Sequence, residues 1–472
     1  MLGEEVLYQT AAELGPQIKA RKLSPSELTE SYLQRIRRYA GKLNAFESVL
    51  PEQARREARA AEAEINAGKY RGPLHGIPYA AKDLLATVGA RTTWGAAPLK
   101  NQTFSYDATV VKRLHDAGAI LLGKSSMIEF AGGLGYRYCD ASVSGPCRTP
   151  WGLDHWAGGS SSGSGSAVAA GLCTFAIGTE TWGSILCPSA FNGVTGLRPT
   201  YGRVSRYGAM VCAWTFDKIG PLARSAADCR TILGAIAGPD ANDPSAVDEP
   251  LGLDAPPRAP GRVRAALIPL DWSKYGEREV KQAFDAAVGE LKNAGVHFTD
   301  ARLPELPVSE VAGALITAEA LSTFEEFFRN GTVKQLSDPY APHQIEINQA
   351  LTGADIVKAW RIRRVVQDKM TEFFSNFDVV VSPNFMTVAP PVNKDLFETL
   401  PYPDPVGAVG NACGLPAIAL PCGFGQQHLP ISFQIMGAPF EEAVLCDLAD
   451  VYQKRTQFHR ERPPLHDTAT AG

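Results

Sequence analysis

The strongest constraint on this chain is a series of short runs that are apolar almost throughout, so that neither face of the strands they form can be left to water. Ala119–Leu122, Leu172–Ile177, Ala417–Pro421 and Ile431–Ile435 are of this kind. Ile77–Ala81, which enters a turn at Lys82-Asp83, and Arg262–Pro269 and Phe377–Ser382 read as further strands. A strand with one wet face alternates polar and apolar residues, whereas runs like these need cover on both sides. The segments between them supply that cover. Ser24-Pro25-Ser26-Glu27 has the layout of a capping box with proline at the first helical position, and Leu28, Tyr32 and Ile36 follow at helical spacing until Gly41. Further helices are predicted over Glu52–Ala67, Ala108–Ala117 (capped by Asp107), Ser164–Ala170, Val280–Ala294 and Asp355–Phe374. Helices alternating with buried strands predict an α/β fold built on a layered sheet. A chain of 472 residues is long enough for one large core or for two to three ordinary domains. The Pro- and Asp-rich stretch 236–262 reads as a long surface loop, and the tail after Pro463 is expected to fray.

Several function classes fall away on composition. The net charge is −4 and the basic residues are dispersed, which leaves no footprint for a nucleic acid. The single local cluster, Lys358 with Arg361, Arg363 and Arg364, falls on a helical pattern and reads as a solvated face. No run approaches the roughly 18 to 20 apolar residues of a membrane span, and the acidic N-terminus lacks the layout of a signal peptide. The nine cysteines are odd in number and scattered, without a C-x-x-C pair; Cys173, Cys422 and Cys446 lie in apolar runs. That usage suits a reducing, cytoplasmic setting and neither a disulfide framework nor a zinc site. The eight histidines form no H-x-x-x-H pair, so neither a metal nor an organic cofactor is expected.

The chemistry concentrates in two small-residue segments. The run Gly158 to Ser166 (GGSSSGSGS) has the composition of a flexible linker, but Trp156 and Ala167–Ala170 flank it, so it leads into an apolar helix. It lacks the G-x-x-x-x-G-K-[ST] pattern of a phosphate loop. The second segment, Gly178 to Ser184 (GTETWGS), follows the apolar run 172–177. A serine in a tight turn at a strand end exposes its hydroxyl and aims neighbouring N–H groups outward, supplying a nucleophile and an oxyanion hole together. The turn is not G-x-S-x-G and has no histidine beside it, which argues against an α/β-hydrolase triad.

These two segments, preceded by His75 to Asp83 (HGIPYAAKD), resemble the amidase signature family. The likeness extends to Tyr106–Thr109, Gly123–Phe130, Gly196–Gly208, Asp217–Pro221, Asn411–Ala417 and Pro430–Gln434, and is poor only over about 235–350. The resemblance implies one large α/β domain with a mixed sheet between helical layers. Within it, residues 1–70 would be a helical segment packed on the core and 71–235 the core with the catalytic residues. Residues 236–375 would be a variable region around the substrate entrance, and 376–472 the C-terminal part of the same core. It also implies a Ser–cis-Ser–Lys triad: Ser184 as nucleophile, Ser160 as bridging serine after a cis Gly159–Ser160 bond, and Lys82 as base. An ordinary lysine titrates near ~10.4, so this one must be buried to be neutral. The backbone N–H groups of Thr181, Trp182 and Gly183 match the oxyanion hole, and Ser161 and Thr179 match positions that hydrogen-bond the lysine–serine chain.

The sequence departs from the family run at Glu180 (usually aspartate), Trp182 (glycine), Leu186 (arginine) and Ser162 (glycine). Trp182 requires a backbone conformation open to a residue with a Cβ; it either shapes the acyl or leaving-group pocket or packs in the core. Losing the arginine removes an anion clamp, which favours neutral, partly apolar amides, with Phe130, Tyr136 and Tyr138 as candidate pocket walls. The expected activity is hydrolysis of a linear, non-peptide amide through a serine acyl-enzyme, with esterase side activity. The alternatives are a carbamate hydrolase using the same route, a glutaminase-type subunit of a tRNA-dependent amidotransferase that needs a protein partner, and a non-catalytic binding module. The expected partner is a small-molecule amide or carbamate; oligomeric state, a homodimer included, is left open.

Overall fold

The apolar runs form the interior strands of one mixed sheet. The computed structural model describes residues 2–343, 350–400 and 404–465, so the tail expected to fray lies outside the described residues from 466 on. The strands in chain order are β1 (Phe46–Val49), β2 (Pro78–Lys82), β3 (Ile120–Ser125), β4 (Arg148–Thr149), β5 (Gly152–Trp156), β6 (Phe175–Glu180), β7 (Thr195–Arg198), β8 (Lys218–Ala223), β9 (Arg264–Leu267), β10 (His297–Asp300), β11 (Val379–Pro383), β12 (Ala417–Phe424) and β13 (Pro430–Gly437). Eleven of them pair in the order β1-β3-β2-β6-β8-β7-β12-β13-β11-β9-β10, while β4 and β5 make a separate ribbon. β2 runs parallel to β3 and β6, the stretch from β6 through β11 is antiparallel throughout, and β9 lies parallel between β11 and β10. Every residue of β2, β3, β6, β7, β8, β11 and β13 is buried, whereas the edge strand β1 is mostly half-buried and the other edge strand, β10, is largely open.

Helices cover the sheet as the patterning predicts, with local differences at their ends. Helix α1 (Ala11–Lys19) starts on a full capping box between Thr10 and Glu13. In α2 (Pro25–Leu43) Ser24 accepts from the Glu27 N–H, and the helix runs past Gly41 to a left-handed Asn44. Helix α3 spans Pro51–Asn66. Helix α4 (Thr109–Asp116) is not capped by Asp107, whose carboxylate instead accepts from the Val88 N–H at 2.7 Å. Helices α5 (Ser162–Ala169) and α6 (Leu186–Asn192) are buried at every residue, and α7 spans Ala226–Ile236. Lys82 ends β2 rather than standing in the turn after it.

The basic cluster on the helix Gly353–Asn376 is only partly a solvated face. Arg361 and Arg364 are exposed, but Arg363 is buried, donating to the Ala412 carbonyl at 2.7 Å and to the Thr215 hydroxyl and carbonyl at 2.7 and 2.9 Å. A guanidinium carries five donors, so it ties an irregular turn down through several acceptors at once. All nine cysteines are free thiols, and eight are buried. Among the described residues no helix is long and apolar enough to cross a membrane, and no group of three or more His, Cys, Asp or Glu could hold a metal ion.

The N-terminal helices are fastened to the sheet by a buried carboxylate. Asp228 in the first turn of α7 accepts from the N–H groups of Ala11 and Ala12 at 2.9 and 3.0 Å, satisfying donors that open α1. Asp228→Ala leaves both N–H groups without that acceptor. Urea unfolding is expected to report a loss of about 2 kcal/mol; an unchanged midpoint would mean that α1 docks without it.

Candidate active site

Two adjacent parallel strands bring the site together. β2 delivers Lys82 at its end, and β6 beside it leads into the turn 181–185 that precedes α6. The Gly/Ser run forms neither a linker nor a loop: it is the turn into α5 and the first half of that buried helix. A Cβ at Gly163 would stand 2.3 Å from the Ala45 carbonyl oxygen and 2.4 Å from the Ser126 nitrogen, so only glycine lets α5 approach this closely. Ser160 stands just before α5, after a cis Gly159–Ser160 peptide bond.

The three residues singled out by position form a continuous line. Lys82 Nζ lies 2.7 Å from Ser160 Oγ, and Ser160 Oγ lies 3.0 Å from Ser184 Oγ. Lys82 Nζ also donates to Thr179 Oγ1 at 2.9 Å and to the Thr179 carbonyl at 3.4 Å. Ser161 Oγ fixes Thr179 in turn, donating to its carbonyl at 3.1 Å and accepting from its N–H at 3.2 Å. Lys82 is completely buried. Burial lowers its pKa to about 7, against an opposing pull from Cys212, Asp217 and Glu180. A lysine that loses its proton near neutrality can accept one from a hydroxyl, which an ordinary lysine cannot.

The turn after β6 explains how the unusual residues are accommodated. Gly183 takes φ +83°, which strongly favours glycine, although a Cβ there would meet nothing within 4 Å. Trp182 is absent from the residues with positive φ, so a side chain is tolerated where the family usually has glycine. Its indole is half-buried against the apolar cluster that holds Ile185, Leu186 and Phe216. The N–H groups of Thr181, Trp182, Gly183 and Ser184 donate to no protein acceptor among the described residues. Glu180 Oε2 accepts from Ile185 N and Leu186 N at 2.9 and 3.1 Å, while its Oε1 meets Arg198 at 2.7 Å. Both members of that ion pair are fully buried. Burial by itself would raise the Glu180 pKa; Arg198 and Lys218 outweigh it and hold it at about 2.

The remaining expectations divide. Leu186 is buried in the same apolar cluster as its neighbours, and its carbonyl accepts from Asn384 at 2.7 Å. Tyr136 is half-buried, and a Cβ built on Gly159 would lie 2.7 Å from its hydroxyl, which puts the ring beside the cis peptide. Tyr138 is also half-buried. Phe130 has no exposed surface; it packs on Phe324 and Phe327 at 4.7 and 5.4 Å between ring centres. Arg198, Asp217, Lys218 and Asn411 stand in the sequence only as parts of matching blocks, yet they surround the turn from below. The signal for Arg198 and Lys218 is charge at the end of an otherwise uncharged strand, as in Lys218–Ala223.

Comparison with known proteins bears on the family and the fold. A family model described as Amidase matches residues 27–446. The chain is 36% identical to the A subunit of the glutamyl-tRNA(Gln) amidotransferase of Moorella thermoacetica, over 98% of this chain and 99% of that protein. Among solved structures it is similar to the native peptide amidase of Stenotrophomonas maltophilia, with a TM-score of 0.84 and 30% identity over 98% of this chain and 99% of the other. The corresponding glutamyl-tRNA(Gln) amidotransferase subunit from Thermotoga maritima gives a TM-score of 0.79 at 27% identity, covering 98% of both chains.

The Glu180–Arg198 pair makes the site's stability pH-dependent. Because the carboxyl's folded pKa is depressed to about 2 from 4.5, its contribution is present above about 4.5 and is lost as pH falls towards 2. Glu180→Gln leaves Arg198 buried without its counter-ion, an expected loss of about 3 kcal/mol at neutral pH. Denaturant titrations at pH 7 and pH 4 should show the gap to wild type narrowing at the lower pH; a constant gap would contradict the assignment.

Proposed function

The chain belongs to the amidase signature family, and from that premise we propose that it is a self-sufficient serine amidohydrolase for neutral, partly apolar linear amides. The observation that carries this reading is the unbroken line Lys82 Nζ–Ser160 Oγ–Ser184 Oγ, at 2.7 and 3.0 Å, with a lysine titrating near 7 at its end.

With Lys82 neutral, the hydroxyl hydrogens turn towards it: Ser184 donates to Ser160 and Ser160 donates to Lys82. Ser184 Oγ attacks the amide carbonyl as its proton passes to Ser160 and the Ser160 proton passes to Lys82. The carbonyl electron pair moves onto oxygen, where the N–H groups of Thr181, Trp182 and Gly183 would meet it. Collapse of the tetrahedral intermediate breaks the C–N bond, and the proton returns through Ser160 to the leaving amine. Water then attacks the acyl carbonyl, giving up a proton through Ser160 to Lys82; collapse breaks the C–O bond to Ser184, whose Oγ takes that proton back through Ser160 as the carboxylic acid leaves. No step in this sequence needs a metal or a cofactor.

Support for a neutral, apolar substrate comes from the walls. Trp182, two residues before the nucleophile, carries a large, half-buried ring, and Leu186 adds no charge to the apolar cluster it packs on. A cleft of about 250 Å³ walled largely by Trp94, Phe104, Tyr106, Tyr207 and Trp214, with Arg206 and Asp243 also in its lining, adjoins the small cavity that Thr179 and Thr181 line, sharing Arg206, Ala209, Met210 and Val211 with it. A second reading is favoured by the 36% identity with the Moorella amidotransferase protein over nearly the whole chain: a glutaminase subunit that depends on partner proteins. Glutamine hydrolysis that appears only with co-purified partners would establish it.

The purified chain is expected to hydrolyse aryl amides of mid-length acyl groups alone, faster than matched carbamates and esters or glutamine. Since Lys82 must be neutral, kcat/KM should rise with pH through about 7 and then level. Ser184→Ala with the fold retained should reduce kcat by at least about 10⁴-fold, as for triad nucleophiles generally. Unchanged turnover in that variant rules the mechanism out.

A further inference from the structure

Below the turn that carries the nucleophile lies a buried ammonium that the mechanism above does not use. Lys218 begins β8, beside Glu180 of β6, and is 2% exposed. Its Nζ donates to three acceptors: the Thr181 carbonyl at 3.3 Å, Asn411 Oδ1 at 2.8 Å, and the Phe216 carbonyl. Asn411 is held by its own bond to the Gly407 carbonyl at 2.9 Å, so it is a fixed anchor. The neighbouring Asp217 carboxylate accepts from Thr181 Oγ1 at 2.6 Å and from the N–H groups of Cys212 and Ala213 at 2.7 and 3.0 Å. Thr181 is thus gripped by its side chain and by its carbonyl, both from the side of β8.

We propose that Lys218 is a positioning residue for the oxyanion hole, acting through the peptide group that joins Thr181 to Trp182. This rests on the reading of Ser184 and the turn 181–183 given above. The only cis peptide bond in the described chain is Gly159–Ser160, so the Thr181–Trp182 unit is trans and its N–H points opposite to its C=O. A donor fixed on the Thr181 oxygen therefore aims the Trp182 N–H away from Lys218, towards the open side of the turn. A cation on the oxygen end also polarises the unit, strengthening the N–H as a donor, because hydrogen bonds in series reinforce one another. The arrangement needs no rearrangement when negative charge develops on the substrate oxygen, which is where preorganised dipoles act most strongly.

The same geometry makes the charge state of Lys218 matter. The ionisable groups around it are Glu180 on β6, Arg198 on β7, Asp217 adjoining β8 and Arg363 on the helix Gly353–Asn376. Burial lowers the Lys218 pKa below the usual lysine range, Arg198 adds to that, and Glu180 and Asp217 oppose it.

The test compares Lys218→Met and Lys218→Gln with wild type on one aryl amide, alongside Ser184→Ala. Lys218→Met is expected to lower kcat by about 10- to 100-fold, below or at the loss of one direct oxyanion donor, with KM within twofold. Binding of a trifluoromethyl ketone, whose adduct carries the oxyanion, should weaken in parallel. Lys218→Gln keeps a neutral donor and should lose less. Unchanged kcat in a folded Lys218→Met, or a raised KM at constant kcat, overturns the proposal. Should that variant not fold, Lys218→Gln decides: reduced kcat with weakened ketone binding supports it, and wild-type values overturn it. Full turnover in Ser184→Ala would instead sink the underlying site reading, whatever the Lys218 variants do.

Discussion

Lys82 is completely buried, and its hydrogen bonds go to two hydroxyls and a carbonyl rather than to a carboxylate. The interval between its pKa of about 7 and the ordinary 10.5 corresponds to on the order of 5 kcal/mol against the charged form. Keeping a neutral amine in a polar niche of that kind requires partners that can both donate and accept, which is what serine and threonine hydroxyls do. It also requires water to be excluded, which explains why α5 is buried throughout and why glycine lets it lie so close to β1, β3 and their flanks. The Gly/Ser composition of that helix follows from close approach, not from flexibility.

The turn that holds Ser184 is supported from beneath by charge. Glu180 binds the amides of Ile185 and Leu186 and is neutralised by Arg198; Asp217 and Lys218 hold Thr181 from the next strand. Glu180 and Arg198 form a fully buried ion pair, whereas Lys218 and the half-buried Asp217 are held by hydrogen bonds; all of them contribute geometry more than stability. Glu180, longer by one methylene than the usual aspartate, still reaches two backbone donors. The departures from the family pattern at Trp182 and Leu186 are taken up by one apolar cluster beside the turn, whose backbone stays intact.

How much of this is legible in the sequence depends on which physical signal each element carries. Strands buried on both faces announce themselves as apolar runs, and β2, β3, β6, β11, β12 and β13 can be read within a few residues. The edge strands β1 and β10 carry no such run, because one side of each faces water, and both escape the pattern. β7 and β8 escape it for another reason: they are buried throughout, but Thr195 and Gly196 break the apolar run of one, Gly220 and Pro221 that of the other, and the buried charges Arg198 and Lys218 stand at their ends. Asp107 has the right residue type and position for a cap, but a loop amide outcompetes the helix for it. The line Lys82–Ser160–Ser184 follows from resemblance and position, whereas the ions beneath the turn are separated in sequence and meet only through the sheet. Arg363 is hidden similarly, among exposed arginines on the same helix.

The central claim is that burial alone makes Lys82 a neutral base at the end of the serine line, and its titration can be watched directly. Protein labelled with 13C at the lysine ε-carbons should show a resonance, missing in Lys82→Met, that titrates near pH 7. A Lys82 resonance that stays protonated to above about pH 10, where model lysines titrate, would contradict the account.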